Sequence, residues 1–143
     1  MANDTVTFTV KSSPEKVFAL SNNLGALGSL LPDVKKVEVV DDKNAFWHLT
    51  TKVGFVTRTI KLHTIITKLE PPKHADFSGD SDELALTGSV DLSPLNDGGT
   101  EVTCKFDAYG KGPLKNIING LLETKIPEEV GGFVKNLQEM LKD

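Results

Sequence analysis

PLKNIINGLLETKIPEEVGGFVKNLQEMLK, residues 113–142, is the stretch whose reading decides the fold. Leu114, Ile117, Ile118, Leu121, Leu122, Ile126, Val130, Phe133, Val134, Leu137, Met140 and Leu141 recur at steps of three and four. That period lays them on one stripe of a helix, with Lys115, Asn116, Asn119, Glu123, Glu128, Glu129, Lys135 and Glu139 mostly on the other side. Gly112-Pro113 marks the start, because proline suits a first helical position where its missing N–H has no intrahelical partner to lose. At about 1.5 Å per residue the helix needs about 40 Å of apolar surface to lie on. The rest of the chain must supply it.

Pro127 and Gly131-Gly132 interrupt the pattern. Proline removes a donor and crowds the preceding turn, so a kink over residues 124–127 is expected. Two readings stay open. A second helix starts at Pro127, with Glu128 and Glu129 in its first turn; or one weakened helix moves to admit a ligand. Alanine at positions 131 and 132 is expected to stabilise the helix.

Working outward, Thr5–Lys11 alternates, with Val6, Phe8 and Val10 on one side and threonines on the other, the mark of a half-buried strand. Ser12-Ser13-Pro14-Glu15 opens a short helix carrying Val17, Phe18 and Leu20. A second short helix places Leu24, Leu27, Leu30 and Leu31 on one face and ends at Pro32-Asp33. Six strands follow, separated by Asp41-Asp42-Lys43-Asn44, a turn or bulge at Gly54, Glu70-Pro71-Pro72, Asp80-Ser81-Asp82 and Asn96-Asp97-Gly98-Gly99. Every strand has one apolar face. A sheet of seven antiparallel strands with such a face must curl around something, and the final helix is the element long enough to fill it.

The 143 residues are expected to form one domain, 1–143, large enough to bury a core without disulfides. Net charge is −4 with no basic run, which argues against a nucleic-acid partner. Cys104 is the sole cysteine, so no internal disulfide forms. No apolar run reaches the roughly 20 residues of a membrane span, no signal peptide is read ahead of Val6, and a soluble cytoplasmic protein is expected.

The residues offer no catalytic constellation. His48 and His63 fall opposite the apolar face by strand parity, with no acidic residue expected beside them, so no metal site is expected. Cys104 is inward, without an inward histidine to activate it, and reads as an inert thiol. Gly110-Lys111-Gly112 is read as an entry turn to the final helix rather than as an anion seat. Arg58 shares the inner parity of Ile60 and Leu62 near a strand end. It either holds a polar head group at a cavity mouth or snorkels into water.

The order strand, two short helices, six strands, long helix resembles the START/Bet v 1-like (polyketide cyclase-like) superfamily, an α+β helix-grip fold. VTFTVKSSPEKVF, residues 6–18, is similar to that superfamily's opening, and Leu30-Leu31-Pro32-Asp33 to its second short helix. KVGFVTRTIK, residues 52–61, resembles a hairpin of the carbon monoxide dehydrogenase G-subunit family, and Gly79, Gly88, the strand 84–92 and residues 98–102 resemble its later hairpin. Pro127 and Gly131-Gly132 depart from the pattern, and the sequence stops at Asp143 short of the membrane-attaching tail some members carry. The resemblance implies a cavity between sheet and final helix that holds a lipid, sterol, polyketide or isoprenoid quinone. Members of the G-subunit family are accessory factors in enzyme maturation or membrane recruitment.

The expectation is therefore a non-enzymatic module, without a cofactor, that binds or carries a hydrophobic small molecule. Its candidate ligand-binding residues are Leu27, Leu31, Trp47, Leu49, Arg58, Ile60, Leu62, Phe77, Leu86, Val90, Phe106, Ile118, Leu122, Val130 and Phe133. A continuous cavity beyond about 300 Å³ would favour carriage. The alternatives are an accessory subunit that docks onto a redox enzyme complex or contacts a membrane peripherally, marked by an exposed apolar patch, and a cyclase or hydrolase of the same fold, which needs an inward acid–base pair.

Overall fold

In a computed structural model of the chain, residues 2–53 and 55–142 are described, the side chain of Val53 excepted. Gly54, read above as a turn or bulge, and Asp143 lie outside them. The elements run β1 (Ala2–Val10), α1 (Pro14–Ser21), α2 (Leu24–Ser29), β2 (Val34–Asp41), β3 (Asn44–Val53), β4 (Val56–Glu70), β5 (His74–Asp80), β6 (Leu84–Pro94), β7 (Thr100–Gly110) and α3 (Lys115–Met140). The strands form one antiparallel sheet in the order β1-β7-β6-β5-β4-β3-β2. This is the helix-grip arrangement expected from the sequence.

Local chemistry sets the boundaries. Ser13 caps α1, its hydroxyl accepting from the Lys16 N–H at 3.3 Å, with Pro14 in the first turn. Asn23 caps α2 by accepting from Ala26 N–H at 3.1 Å. The β6–β7 turn places Gly98 at φ +89°, where a side chain would be strained. Register shifts at Val34/Lys36, Val39/Asp41 and Ile66/Lys68 interrupt the β2–β3 and β4–β5 ladders, and bulges of this kind bend a sheet.

Strand alternation holds through the core. Ile60, Leu62, Thr64 and Ile66 of β4 are buried, and so are Val102, Cys104, Phe106 and Ala108 of β7. The one hydroxyl in the first series, Thr64, donates to the Ala45 carbonyl at 2.9 Å, so its burial leaves no donor unpaired. Four rings run across the interior, Trp47 to Phe77 (5.8 Å between centroids), Phe77 to Phe106 (6.1 Å) and Phe106 to Phe133 (5.4 Å), linking β3 through the sheet to α3. Gly88 lies opposite Phe77 in the β5–β6 ladder, and a side chain there would overlap that ring.

The final helix differs from the sequence reading in three ways. It begins at Lys115, with Gly112 at φ +73° and Pro113 still in the entry turn. It runs as one helix of 26 residues through Pro127, so no second helix starts there. Ile117 and Met140, assigned to the buried stripe, are about half exposed, because the sheet beneath covers a narrower face than the periodicity allows for. The Leu-rich segment is ordinary packing: Leu24, Leu27, Leu30 and Leu31 are buried, and the Trp47 indole donates to the Leu24 carbonyl at 3.0 Å.

Candidate functional site

A cavity of about 90 Å³ lies between the sheet and the first half of α3. Leu31 and Asp33 reach it from the link between α2 and β2, Leu49 and Thr51 from β3, and Ile60 from β4. Leu84 and Leu86 of β6 and Phe106 and Ala108 of β7 form its floor. Helix α3 closes it with Ile118, Leu121, Leu122, Lys125, Ile126, Glu129 and Val130. The strand residues follow from parity: Leu49 and Thr51 are two apart, and Leu49 pairs with Ile60 across the ladder.

Eight of the fifteen sequence candidates line this space: Leu31, Leu49, Ile60, Leu86, Phe106, Ile118, Leu122 and Val130. Six others, Leu27, Trp47, Leu62, Phe77, Val90 and Phe133, are no more than 3 % exposed and lie outside it. The physical reason is the ring series: Trp47, Phe77 and Phe133 fill the neighbouring part of the interior with their own side chains, and Phe106 forms the wall between packed core and open space. Arg58 does not line the cavity either. Its guanidinium makes a two-point pair with Glu83, Nε donating to Oε2 at 2.9 Å and Nη2 to Oε1, and that pair holds its pKa above the ordinary value.

Leu84, Ala108, Leu121 and Ile126 also line the cavity, and their inward pattern was legible. The polar lining residues Asp33, Thr51, Lys125 and Glu129 were missed. Thr51 shares the parity of Leu49, two residues along the strand, which is the signal that could have found it, whereas the helical period puts Glu129 on the side away from the apolar stripe. Asp33 Oδ2 stands 3.3 Å from Lys125 Nζ, and the Asp33 N–H donates to Glu129 Oε1 at 2.8 Å. Burial pushes the Glu129 carboxyl above its usual range, against the lowering effect of that hydrogen bond. The Thr51 hydroxyl oxygen is enclosed and has no hydrogen-bond partner among the described residues.

The histidines sit elsewhere. His48 contacts Glu38, correcting the expectation that no acidic residue lies near it, and His63 bonds Asn44 at 3.1 Å and stacks on Phe46. No group of three His, Cys, Asp or Glu side chains among the described residues is placed to hold a metal ion. Burial pushes the Cys104 thiol up to about 12. No helix among the described residues is long and apolar enough to cross a membrane.

With this geometry in view, the sequence matches the family described as polyketide cyclase / dehydrase and lipid transport over residues 1–142. The chain belongs to that family. Its fold is shared by a conserved protein from Geobacillus kaustophilus (20% identity, 97% of this chain and 94% of that one, TM-score 0.78). A START superfamily protein from Mycobacterium smegmatis is similar at 13% identity, over 99% of this chain and 97% of that one, with TM-score 0.74. The Zhui aromatase/cyclase from Streptomyces sp. R1128 is similar at 12% identity, over 97% and 92%, with TM-score 0.72. No curated protein sequence matches the chain closely enough to count as a relative.

These findings overturn the expectation of a non-enzymatic module. The family's description includes cyclases and dehydrases beside lipid transport, and one structural neighbour is an aromatase/cyclase. The closer tie to the carbon monoxide dehydrogenase G-subunit family is carried by none of these comparisons.

Proposed function

We propose that the protein binds an apolar small molecule, of lipid or isoprenoid quinone type, in the cavity between the sheet and α3. The observation that carries this is the cavity itself: twelve of its sixteen lining residues are apolar. Burying apolar ligand surface there supplies about 25 cal/mol per Å², and few polar groups are present to set orientation. Binding of such a molecule is common to both activities in the family's description, transport and chemistry on a bound substrate. At about 90 Å³ the cavity is smaller than the size of about 300 Å³ that would favour carriage. An isoprenoid chain therefore requires α3 to draw back from the sheet or side chains to repack.

The test is native mass spectrometry of protein from its own host, with organic extraction of whatever is released. A stoichiometric lipid or isoprenoid supports the reading. Failure to retain any, together with failure to take up quinones, fatty acids or sterols added in excess, ends it.

A second reading has its own observation. Phe55 and Val56, at the tip of the β3–β4 hairpin, are exposed, and they fall in the stretch that resembles the G-subunit family. An exposed apolar tip suits docking onto a redox enzyme complex or peripheral contact with a membrane. Loss of co-purification with such a complex, or of vesicle binding, in Phe55→Ser is the matching test; unchanged behaviour in both removes this reading.

A further inference from the structure

Within the cavity the polar groups are gathered, not scattered. The Thr50 N–H donates to the Asp33 carbonyl at 3.0 Å, which sets Thr51 beside Asp33, and Asp33 is in turn joined to Lys125 and Glu129 of α3. Three cations lie near: Lys125 pairs with Asp33, Arg58, the ladder partner of Thr51, pairs with Glu83, and Lys35, which donates to the Pro32 carbonyl at 3.0 Å, is exposed and does not line the cavity. What remains uncommitted is a hydroxyl, Thr51 Oγ1, and the carboxyl of Glu129, which receives one backbone N–H. A buried hydroxyl without a partner is costly, and native structures rarely leave one without a reason. A carboxylate or phosphate head group entering here would meet two acidic side chains, and the one cation in the lining, Lys125, is already paired with Asp33. An uncharged hydroxyl meets Thr51, which donates or accepts, and a carboxyl that accepts.

We infer that the cavity takes an uncharged, hydroxyl-bearing apolar molecule whose hydroxyl bonds Thr51 Oγ1 beside Asp33 and Glu129, and that it rejects the carboxylate of the same skeleton. Thr51 is then the residue that orients the ligand and selects its head group. This rests on the cavity reading proposed above and narrows it to hydroxyl-bearing ligands, a lipid alcohol or the reduced quinol form rather than the quinone, whose ring oxygens are carbonyls.

Three small aromatic probes, which ask far less expansion of the cavity than an isoprenoid chain, separate the two claims: toluene, p-cresol and p-toluate, titrated at pH 7 and followed by NMR or calorimetry. The expected result is p-cresol binding about fivefold more tightly than toluene, the ratio one net hydrogen bond supports, with p-toluate at least about tenfold weaker than p-cresol. Thr51→Val should bring p-cresol down to the level of toluene and leave toluene unchanged, while Thr51→Ser restores the preference. Equal binding of toluene and p-cresol, p-toluate binding as tightly as p-cresol, or an unchanged ratio in Thr51→Val overturns the head-group assignment while the cavity reading stands. No binding of any probe overturns both.

Discussion

Gly132 of α3 lies against the ring of Pro32: a side-chain carbon on Gly132 would overlap Pro32 Cγ and stand 3.1 Å from its Cδ. The helix is drawn in by further contacts with the same segment. Asn136 Nδ2 donates to the Leu30 carbonyl at 2.9 Å, and Asp33 holds both Lys125 and Glu129. Gly131, one residue earlier, has nothing within 4 Å of where its side chain would begin. The two adjacent glycines therefore do different things. Gly131→Ala should stabilise the protein by about 1 kcal/mol, the helix-propensity difference. Gly132→Ala should destabilise it, because a proline ring is tied to the backbone and cannot swing aside. Urea unfolding of the two variants checks this. Equal stabilisation by both, the expectation from the sequence, would show that the contact with Pro32 yields freely.

Glu129 makes stability depend on pH in an identifiable direction. Burial raises its folded pKa above 4.5, helped by the charge of Asp33 and opposed by the Asp33 N–H, Lys125 and Lys35. A carboxyl with a raised folded pKa contributes stability that is present below its unfolded value and lost as pH rises through the folded one. Glutamine at 129 keeps the oxygen that accepts from Asp33 but does not titrate. The stability of Glu129→Gln relative to the parent should therefore improve from pH 4 to pH 7. Parallel stability curves over that range would contradict the assignment.

His74 titrates on the outer side of the sheet. Its Nδ1 lies 2.5 Å from Asp91 Oδ1 and its Nε2 2.7 Å from Asp76 Oδ1, and the hydrogen bond to Asp91 is the main cause of a raised pKa. The protonated ring donates to both carboxylates. A histidine raised above 6.5 contributes stability in full below that value and loses it as pH rises through the folded pKa. The parent should lose stability on the alkaline side of pH 6.5, and His74→Gln should flatten that part of the profile. A variant profile with the same slope would place the titration elsewhere.

Cys104 is fully buried, and its thiol, at about 12, carries almost no thiolate at pH 8. A disulfide reagent such as DTNB should react with folded protein only at the rate of unfolding and fully in denaturant. Rapid stoichiometric labelling of the native state would show that β7 opens far more readily than its packing implies.

The order of elements was legible in the chain because each signal is local: alternation for strands, a step of three or four for the helix, Ser13-Pro14 and Gly98 for a cap and a turn. These signals determine which face of a strand or helix turns inward, and they placed Leu49, Ile60, Leu86 and Ile118 correctly on that face. They do not determine which inward side chains touch one another and which border empty space. That was decided in three dimensions, where Trp47, Phe77, Phe106 and Phe133, from four different elements, fill one part of the interior and leave the other open. The same holds for the polar corner. No local pattern links Asp33, Thr51, Lys125 and Glu129, which come from a loop, a strand and a helix; only the seating of α3 on the segment around Pro32 and Asp33 brings them together. Periodicity is a property of one segment, whereas a cavity is what remains after several segments have packed.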